Sequence, residues 1–304
     1  MLKHAYLVMA HNNFYVLETL LHLLDDERNT IYLHIDKKTK GVDTEALQKI
    51  PQKAKLYLVK RRKVNWGGFS QIQCELALLQ EAVKGKHDYY HYLSGVDLPI
   101  KPNNTICKRI EENNGKLFIN FSEDEFIQEN HILERMELYH FFQEYLRRKQ
   151  KWIAYPARAL ERVSLWIQKR LKVNRLRGKN IEIKYGANWV SIPHAFAEYV
   201  LSQKKEITSY FRFSNCCDEI FMQTLAYNSE FRKDIYDIDR RESFHSCLRS
   251  IDWKRGTPYI YRLEDFELLI HSEFLFARKF DQNVDRNIVD KLKEYLEKEN
   301  GKKV

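Results

Sequence analysis

Short apolar runs alternate with amphipathic stretches over about the first hundred residues, and this alternation limits the possible folds more than any other feature of the chain. Apolar runs of strand length occupy 6–10, 30–35, 54–59 and 89–93. Apolar residues at helical spacing occupy 14–24 and 70–83. Buried strands that alternate with helices predict an open, largely parallel sheet with helices on both faces, and therefore an α/β fold.

Small and polar residues collect where these predicted strands end. His11 follows the first strand, Asp36 follows the second, and Asp97 closes the segment 94–97 after the fourth. Ligands of open α/β sheets bind at the carboxyl ends of the strands, so we expect these three side chains around a bound nucleotide. The alternatives are a hydrogen-bonded strand-end histidine for His11, as for His34, and a turn-capping role for Asp97.

The remainder of the chain contains further elements but no linker. A strand is predicted at 116–121, and a turn followed by a strand at 185–192. Helices are predicted at 152–173, with a break near Pro156, at 193–202, at 218–227 and at 281–300. No repeat, low-complexity tract or Pro/Gly/Ser-rich stretch divides the sequence.

The positive charge of the chain is concentrated in one segment. Residues 146–179 contain twelve Lys or Arg residues and a single acid, Glu161, whereas the whole chain has a net charge of +9. The remainder is therefore slightly acidic, which argues against a protein that coats nucleic acid. The segment could dock on an anionic membrane, bind an anionic glycan, or form a solvated pair of helices. Apolar residues that would support membrane docking are Trp152, Ile153, Leu165, Trp166 and Ile167.

Cysteine usage and hydropathy indicate the compartment. The five cysteines are odd in number and irregular in spacing, so neither a disulfide framework nor a zinc site is predicted. The neighbours Cys216 and Cys217 are expected to be buried rather than reactive. No apolar run approaches the ~20 residues of a membrane-spanning helix, and none resembles a secretory signal. We therefore expect a cytoplasmic protein, which is peripheral at the inner face of the membrane if the basic segment docks there.

Six short motifs follow one another along the chain. They are Arg62–Ser70 (RKVNWGGFS), Tyr92–Pro99 (YLSGVDLP), Tyr185–Trp189 (YGANW), Asp218–Thr224 (DEIFMQT), Ile251–Trp253 (IDW) and Phe276–Asp281 (FARKFD). Each motif alone is weak, but six in this order are specific. Over roughly residues 4–281 the chain resembles the core-2/I-branching β-1,6-N-acetylglucosaminyltransferase family, glycosyltransferase family 14, which also contains the peptide O-xylosyltransferases.

The resemblance implies a GT-A-like fold in one catalytic domain over residues 1–304. A Rossmann-like nucleotide-binding half would cover 1–115. An acceptor and catalytic half, with the basic helical segment 146–179, would cover 116–281, and a C-terminal helix would occupy 282–304. Animal members of the family have a membrane anchor and disulfides, whereas this chain shows neither and so looks like a bacterial relative.

The resemblance also implies an inverting transferase that works by a single displacement. Glu219, in the Asp-Glu pair ahead of a helix, would be the general base that removes the proton of the acceptor hydroxyl. The alternative for Glu219 is a carboxylate that only interacts with the helix dipole. The donor would be a UDP-sugar carrying N-acetylglucosamine or xylose. The acceptor would be a glycan or lipid-linked oligosaccharide, in cell-surface polysaccharide or glycoconjugate synthesis.

The same resemblance assigns residues to the donor. Lys279 would contact the diphosphate with the help of an arginine near Arg255, for which Lys254, Arg249 and Arg262 are rivals. The alternative for Lys279 is a solvated surface lysine. Further residues that would surround the nucleotide or the donor sugar are Asp36, Asp97, His11, Arg278 and Trp189.

No metal ion or other cofactor is expected. Many enzymes that use UDP-sugars hold a divalent metal with an Asp-x-Asp pair, and the only literal match is Asp237-Ile238-Asp239, which is typical of a solvated turn. After the fourth strand the chain has the single carboxylate of Asp97, which is a poor site for Mg²⁺. Cations such as Arg278 and Lys279 would replace the metal.

A non-catalytic module that binds a nucleotide-sugar or a glycan is the alternative function. The presence of both Glu219 and Lys279 argues against it. A nucleic-acid partner is not expected, because the positive charge is local and no nucleic-acid-binding motif is present.

Overall fold

A five-stranded sheet lies at the centre of the structure, a computed structural model that describes residues 1–239 and 244–301. Its strands are β1 (His4–Ala10), β2 (Asn29–Ile35), β3 (Lys55–Leu58), β4 (Tyr89–Ser94) and β6 (Ser191–Pro193), in the order β3-β2-β1-β4-β6. The first four strands run parallel, and β6 is antiparallel to β4. The predicted α/β class is confirmed.

Helices account for most of the remaining regular structure. They are α1 (Phe14–Leu23), α2 (Thr44–Gln48), α3 (Ser70–Val83), α4 (Asn103–Glu111), α5 (Asp124–Glu129), α6 (Glu134–Glu137), α7 (Lys151–Arg170), α8 (His194–Ser202), α9 (Lys204–Phe211), α10 (Phe221–Tyr227), α11 (Phe266–His271) and α12 (Arg286–Gly301). Short 3-10 turns lie at Cys217–Glu219, Glu230–Asp234, Phe244–Cys247 and Leu263–Asp265. Within the described residues, no helix combines the length and the apolar character that crossing a bilayer requires.

The central strands of the sheet are buried on both faces, as their apolar character predicts, whereas the edge strand β3 is largely exposed and corrects the expectation of a buried strand there. Successive side chains of a strand point to opposite faces. On β1, Ala5 and Leu7 belong to one core cluster, together with residues of α3 and α8. Tyr6 and Val8 belong to the other, together with residues of α1, α4 and α12. The helices therefore cover both faces of the sheet.

The parallel register brings the carboxyl ends of three strands to one edge of the sheet. The last residues of β1 pair with Ile35 of β2 and with Ser94 of β4. His11 and Asp36, which follow β1 and β2, therefore lie close together beside the turn after β4. This is the arrangement that the strand order predicts.

A second, three-stranded sheet follows directly from β4. It contains β5 (Asp97–Pro99), β7 (Arg249–Ile251) and β8 (Phe276–Arg278) in the order β5-β8-β7. β5 pairs with β8 in an antiparallel register that sets Asp97 opposite Arg278. Two motifs whose residues are 181 positions apart in the chain thus meet in space.

Residues 116–121 do not form the predicted strand. Leu117 makes one isolated bridge with Ile235, and Phe118 makes one with Ser191. The run is buried, which explains its strand-like apolar pattern. Each neighbouring segment meets it at a single residue, however, so no ladder of hydrogen bonds extends along it.

The helix predicted at 152–173 is continuous, and the expected break near Pro156 is wrong. α7 begins at Lys151, so Pro156 lies near its start. Proline removes one helical hydrogen bond there, the one to the carbonyl of Trp152. Because Trp152 is exposed, water can satisfy that carbonyl and the helix continues.

The C-terminal helix begins later than the sequence predicts. Asp281 starts a turn, in which its carbonyl accepts a hydrogen bond from the amide of Asp285. The Asp285 carboxylate then accepts from the amides of Asn287 and Ile288, at the start of α12. These side-chain contacts place the helix start at Arg286 rather than at Asp281.

The five cysteines are free and buried. The expectation that Cys216 and Cys217 are buried is thus confirmed. Burial raises the pKa of the Cys216 thiol to about 12, and it also raises the pKa of Cys217. Neither thiol is therefore poised as a nucleophile.

Candidate functional site

A cleft of about 740 Å³ opens where β1, β2 and β4 end. Six of the eight residues that the sequence predicts for the site line it, namely His11, Asp36, Trp189, Glu219, Arg278 and Lys279. The other two, Asp97 and Arg255, are not among the lining residues. One cleft therefore gathers residues from both ends of the chain.

The strand ends supply an aspartate, a lysine and two histidines. The Asp36 carboxylate accepts a hydrogen bond from the Lys38 amide (2.8 Å), and it lies 3.4 Å from the Nζ of the same lysine. The Nε2 atom of His34 accepts from the Arg62 amide (2.9 Å), and burial lowers the pKa of His34 to about 4. His34 is therefore a neutral, hydrogen-bonded histidine. Burial also lowers the pKa of His11.

Asp97 supports Arg278 instead of lining the cleft. It is 2% exposed, and its carboxylate accepts hydrogen bonds from the Ser94 amide (2.7 Å) and from Nη1 of Arg278 (2.7 Å). The Arg278 guanidinium lies 4.3 Å from the ring centroid of Trp189. The guanidinium is therefore held between a buried carboxylate and an aromatic ring.

Arg278 and Lys279 present two adjacent cations to the cleft. The carbonyl of Lys279 accepts a hydrogen bond from the Tyr261 amide (3.0 Å), which anchors the backbone. Arg278 is paired with Asp97, whereas the Lys279 side chain forms no ion pair within the described part of the chain. The lysine charge is therefore available to an anionic ligand.

Glu219 lies at the end of a 3-10 turn, ahead of α10. Its Oε2 atom is 3.1 Å from Nη1 of Arg135. Burial raises the pKa of Glu219, while the charge of Arg135 and hydrogen bonds from Tyr185 and Arg135 oppose that rise. Glu219 is therefore a stronger base than an exposed glutamate, and the neighbouring cation favours its ionised form.

Asp218 lines the same cleft, although it is only 5% exposed. Its Oδ2 atom accepts hydrogen bonds from Nε2 of Gln71 (2.6 Å) and Nδ2 of Asn188 (3.1 Å). Burial, and then the charge of Glu219, raise the pKa of Asp218 to about 7. Near neutral pH this carboxyl is therefore partly protonated.

Two other motifs hold the turn that carries Glu219. The Gly67 carbonyl accepts a hydrogen bond from the Cys216 amide (2.9 Å), and the Gly186 amide donates to the Glu219 carbonyl (3.0 Å). Both positions require glycine, one for its backbone angle and the other for a close approach of the backbone. Gly67 has a φ of +75°, and a Cβ on Gly186 would lie 2.0 Å from the Asn120 carbonyl oxygen.

Aromatic rings form part of the cleft lining. Trp66 and Trp253 line the cleft, and each is 53% exposed. The Arg147 guanidinium lies 3.4 Å from the ring centroid of Trp66. Arg147 covers one face of Trp66, so the other face of that indole and the ring of Trp253 are the surfaces that can stack on a sugar ring.

Arg255 lies outside the cleft and is bound to two acids. Its Nε atom is 2.5 Å from Asp252, and its Nη1 atom is 2.7 Å from Asp265. The guanidinium also lies 4.0 Å from the ring centroid of Tyr259. The position that the sequence predicts for Arg255, beside Lys279 in the cleft, is held by Arg278.

The rival cations are also placed elsewhere. Arg249 is buried and donates to the carbonyls of Cys247 (2.6 Å) and Val190 (3.2 Å). Lys254 and Arg262 do not line the cleft.

The described residues contain no cluster of metal ligands. Over 1–239 and 244–301, no group of three or more His, Cys, Asp or Glu side chains is placed to hold a metal ion. Asp237 and Asp239 lie in an exposed turn, as the sequence predicts. His245 lies 3.4 Å from Asp237, and neither residue lines the cleft.

Arg135 is the residue of the site that sequence reasoning missed. It lies in α6, 84 positions before Glu219, and none of the six motifs contains it. Its guanidinium lies 5.4 Å from the ring centroid of Tyr185, which also belongs to the Glu219 surroundings. The sequence carries no local signal for this residue, because its role arises from a contact between distant segments.

Known proteins resemble this chain in sequence over most of its length. The family model of the Core-2/I-Branching enzyme matches residues 4–269. Xylosyltransferase sqv-6 of Caenorhabditis elegans is 25% identical in an alignment of length 284 that covers 85% of this chain and 32% of that protein. The N-acetyllactosaminide beta-1,6-N-acetylglucosaminyl-transferase of Homo sapiens is 24% identical in an alignment of length 300 that covers 92% of this chain and 68% of that protein.

Among solved structures, the apo form of mouse Xyloside xylosyltransferase 1 matches with a TM-score of 0.36 and 10% identity, covering 90% of this chain and 96% of that one. The chain spans about a third of the length of the xylosyltransferases that it matches in sequence. The family match extends over most of the chain and includes five of the six motifs in full. The chain therefore belongs to the Core-2/I-branching enzyme family, as its motifs predict.

Proposed function

We propose that this chain is an inverting glycosyltransferase that moves a sugar from a UDP-sugar to a hydroxyl of a glycan without a metal ion. Such a transfer needs a base for the acceptor proton and positive charge for the departing diphosphate. The observation that carries the proposal is that one cleft contains Glu219, whose pKa is raised, together with Arg278 and Lys279. Family membership supports the same reaction class.

Glu219 is the proposed general base. Burial strengthens it as a base, and Arg135, at 3.1 Å, keeps a carboxylate form available. As the acceptor oxygen attacks the anomeric carbon, its proton passes to the carboxylate. The bond between the anomeric carbon and the diphosphate oxygen breaks with both electrons on UDP. Attack from the opposite side of that bond inverts the configuration.

Arg278 and Lys279 are the proposed ligands of the diphosphate. Negative charge grows on the leaving UDP as the bond breaks, and two adjacent cations stabilise that charge. Asp97 holds Arg278 at 2.7 Å, so the guanidinium is oriented before the donor arrives. Cations placed in this way supply the charge that other transferases obtain from a divalent ion.

The proposed donor sugars are N-acetylglucosamine and xylose, because the relatives are named for transferring one or the other. Asp36 and His11, at the strand ends, are proposed to face the nucleotide. Trp66 and Trp253 offer exposed rings for the acceptor, a glycan or a lipid-linked oligosaccharide.

Glu219→Gln tests the proposal, because glutamine has nearly the same shape but cannot take the proton. We expect UDP binding, measured by calorimetry, to stay within about twofold, while sugar transfer falls by about 10²–10⁴-fold. Glu206→Gln, at an exposed position of α9, is the matched control and should behave as the wild type. Excess EDTA should leave wild-type activity unchanged.

Three outcomes would contradict parts of the proposal. Full transfer by the Glu219→Gln variant would remove Glu219 as the base. A strict requirement for Mn²⁺ would contradict the metal-independent mechanism. Binding of UDP-sugars with neither hydrolysis nor transfer by the wild type, over a panel of donors and acceptors, would instead favour a non-catalytic binding module.

A further inference from the structure

α7 directs its small and polar side chains toward the protein. Its buried residues are Ala154, Ala157, Glu161 and Gln168, which recur at helical spacing and so share one face. A surface helix of a globular protein ordinarily buries its large apolar residues and exposes its polar ones. In α7 the large apolar residues are exposed instead.

Specific polar contacts fix the orientation of the helix. The Glu161 carboxylate lies 2.8 Å from Nδ1 of His140. The Gln168 side chain accepts a hydrogen bond from the Tyr139 amide (2.7 Å) and donates to the Tyr139 carbonyl (2.9 Å). Rotation of α7 that would bury its other face would break these contacts, so the observed face is the one presented to the protein.

The opposite side of α7 is apolar and open to solvent. Trp152 is 77% exposed, Trp166 is 64% exposed, and Leu171, just after the helix, is 71% exposed. The other exposed large apolar residues of the helix are Tyr155, Leu160, Val163 and Ile167. Single exposed apolar residues are common on proteins, but a contiguous apolar surface along one helix marks a site of contact with a protein, a membrane or a ligand.

A stripe of cations borders this apolar face. Lys151, Arg158, Arg162 and Lys169 recur at helical spacing along one flank of α7. Lys169 pairs with Glu134 of the same protein (2.7 Å). The only acid of α7, Glu161, is buried on the opposite side, so the exposed surface of the helix is both apolar and positively charged.

We propose that the outer face of α7, defined by Trp152, Tyr155, Val163 and Trp166 with the flanking cations, docks on a membrane that contains anionic phospholipids. A helix of this composition lies in the plane of the interface, with its apolar side chains among the acyl chains and its cations at the phosphates. Tryptophan is suited to the interface because its ring is apolar and its N–H is polar.

Other binding partners would match only the charge or only the apolar character of this surface. An anionic glycan would pair with the cations and could stack on an indole, but it would leave the aliphatic side chains of Leu160, Val163 and Ile167 in water. In a symmetric dimer each copy would present the same positively charged patch to the other, which like-charge repulsion opposes. An anionic lipid surface matches both the apolar face and the charge.

Co-sedimentation with vesicles tests the proposal on the full chain. We expect binding to vesicles of phosphatidylcholine mixed with phosphatidylglycerol, and at least about tenfold weaker binding to phosphatidylcholine alone. The double variant Trp152→Ser/Trp166→Ser should weaken binding to the mixed vesicles by about tenfold or more. Arg158→Gln/Arg162→Gln should weaken it by about fivefold per cation removed.

Matched controls separate this surface from general apolar or basic character. Leu268→Ser changes a residue of α11 that is 61% exposed, and Lys108→Gln changes a lysine of α4 whose side chain is 78% exposed. Both should bind as the wild type. The Glu219→Gln variant should also bind fully, since docking does not depend on the proposed transfer reaction. Thermal unfolding should show that all variants are folded.

Several results would overturn the proposal. One is that the wild type binds neutral and mixed vesicles equally well. A second is that the control variants lose as much vesicle binding as the α7 variants. Another is a combination of two observations: Trp152→Ser/Trp166→Ser still binds the mixed vesicles, and soluble acidic oligosaccharides displace the protein from them. This result would identify a site for polyanions. A fourth is a lipid-free dimer in sedimentation analysis that Trp152→Ser/Trp166→Ser dissociates, which would identify an interface between copies of the chain.

Discussion

Residues in distant parts of the chain orient the Arg278 guanidinium and set the pKa of Glu219. A guanidinium has five N–H donors, so the single carboxylate of Asp97 leaves several of them for a ligand. Glu219 is balanced between burial, which raises its pKa, and Arg135, which opposes the rise. In both cases a buried or half-buried partner of opposite charge holds the side chain, and the side chain lines the cleft.

Arg278→Ala and Arg255→Ala together test which arginine serves the diphosphate. Arg278 lines the cleft, so its removal should lower kcat by about 10²–10³-fold through lost stabilisation of the leaving group. Arg255 is bound to Asp252 and Asp265 outside the cleft, so its removal should leave kcat within about threefold. Steady-state kinetics with one donor and one acceptor measures both values.

The reverse result has a clear meaning. If Arg255→Ala lowered kcat as much as Arg278→Ala, Arg255 would have to leave its two acids when the donor binds. Arg278→Lys provides a further control, because a lysine keeps the charge but loses the fork that Asp97 holds. It should recover only part of the lost activity.

Residues of the cleft could be predicted from the sequence where they lie in one of the six motifs. Glu219 and Lys279 sit in motifs, and the structure brings both to the cleft. The family resemblance implies an arginine near Arg255, but it does not reveal that two acids bind that side chain. Arg135 could not be predicted, since neither periodicity nor a motif marks it.

Among the elements, the start of α3 shows how one side chain can organise a motif. The Glu144 carboxylate accepts hydrogen bonds from the Ser70 amide, the Ser70 hydroxyl and the Asn65 amide group, each at 2.8 Å. It thus serves the first turn of α3 in the way a capping residue does. A Cβ on Gly68 would lie 2.5 Å from Oε1 of Glu144, so a larger residue at this position would displace the carboxylate.

Glu144→Ala should lower the free energy of unfolding by about 1–3 kcal/mol, because it leaves polar groups at the start of α3 without their partner. Urea unfolding measures the loss. Glu198→Ala removes a glutamate of α8 whose side chain is 63% exposed, and it should change stability by no more than about 0.5 kcal/mol. Equal losses in the two variants would show that Glu144 does not cap α3.

Elements with a repeated apolar pattern were predictable, and those set by single contacts were not. The predicted helix at 70–83 coincides with α3, because its apolar residues repeat at helical spacing. The run 116–121 has the apolar character of a strand but meets its neighbours only at isolated bridges. The sequence also could not predict which face of α7 packs against the protein, because the contacts of Glu161 and Gln168 determine it.

In the molecule as a whole, two buried acids oppose folding at neutral pH, namely Asp218 in the lining of the cleft and Glu75, which interacts with it. Glu75 of α3 is 1% exposed, and its Oε1 atom has no hydrogen-bond partner within the described structure. Burial, and then the charge of Asp218, raise the pKa of Glu75. A protein without these acids would be more stable, so their presence fits a site where function outweighs stability.

Asp218→Asn should reveal this cost through the pH dependence of stability. The folded-state pKa of Asp218 is about 7, against an ordinary value of 3.8, so between these values the folded chain retains a proton that the unfolded chain has released. The stabilising contribution of this group is therefore complete below about pH 4 and lost as the pH rises to about 7. Asparagine cannot ionise, yet its carbonyl can still accept from Gln71 and Asn188. The variant should be more stable than the wild type by about 1–4 kcal/mol near pH 8, and equal to it within about 0.5 kcal/mol near pH 4, in urea unfolding. The same difference at both pH values would mean that Asp218 does not titrate in this range.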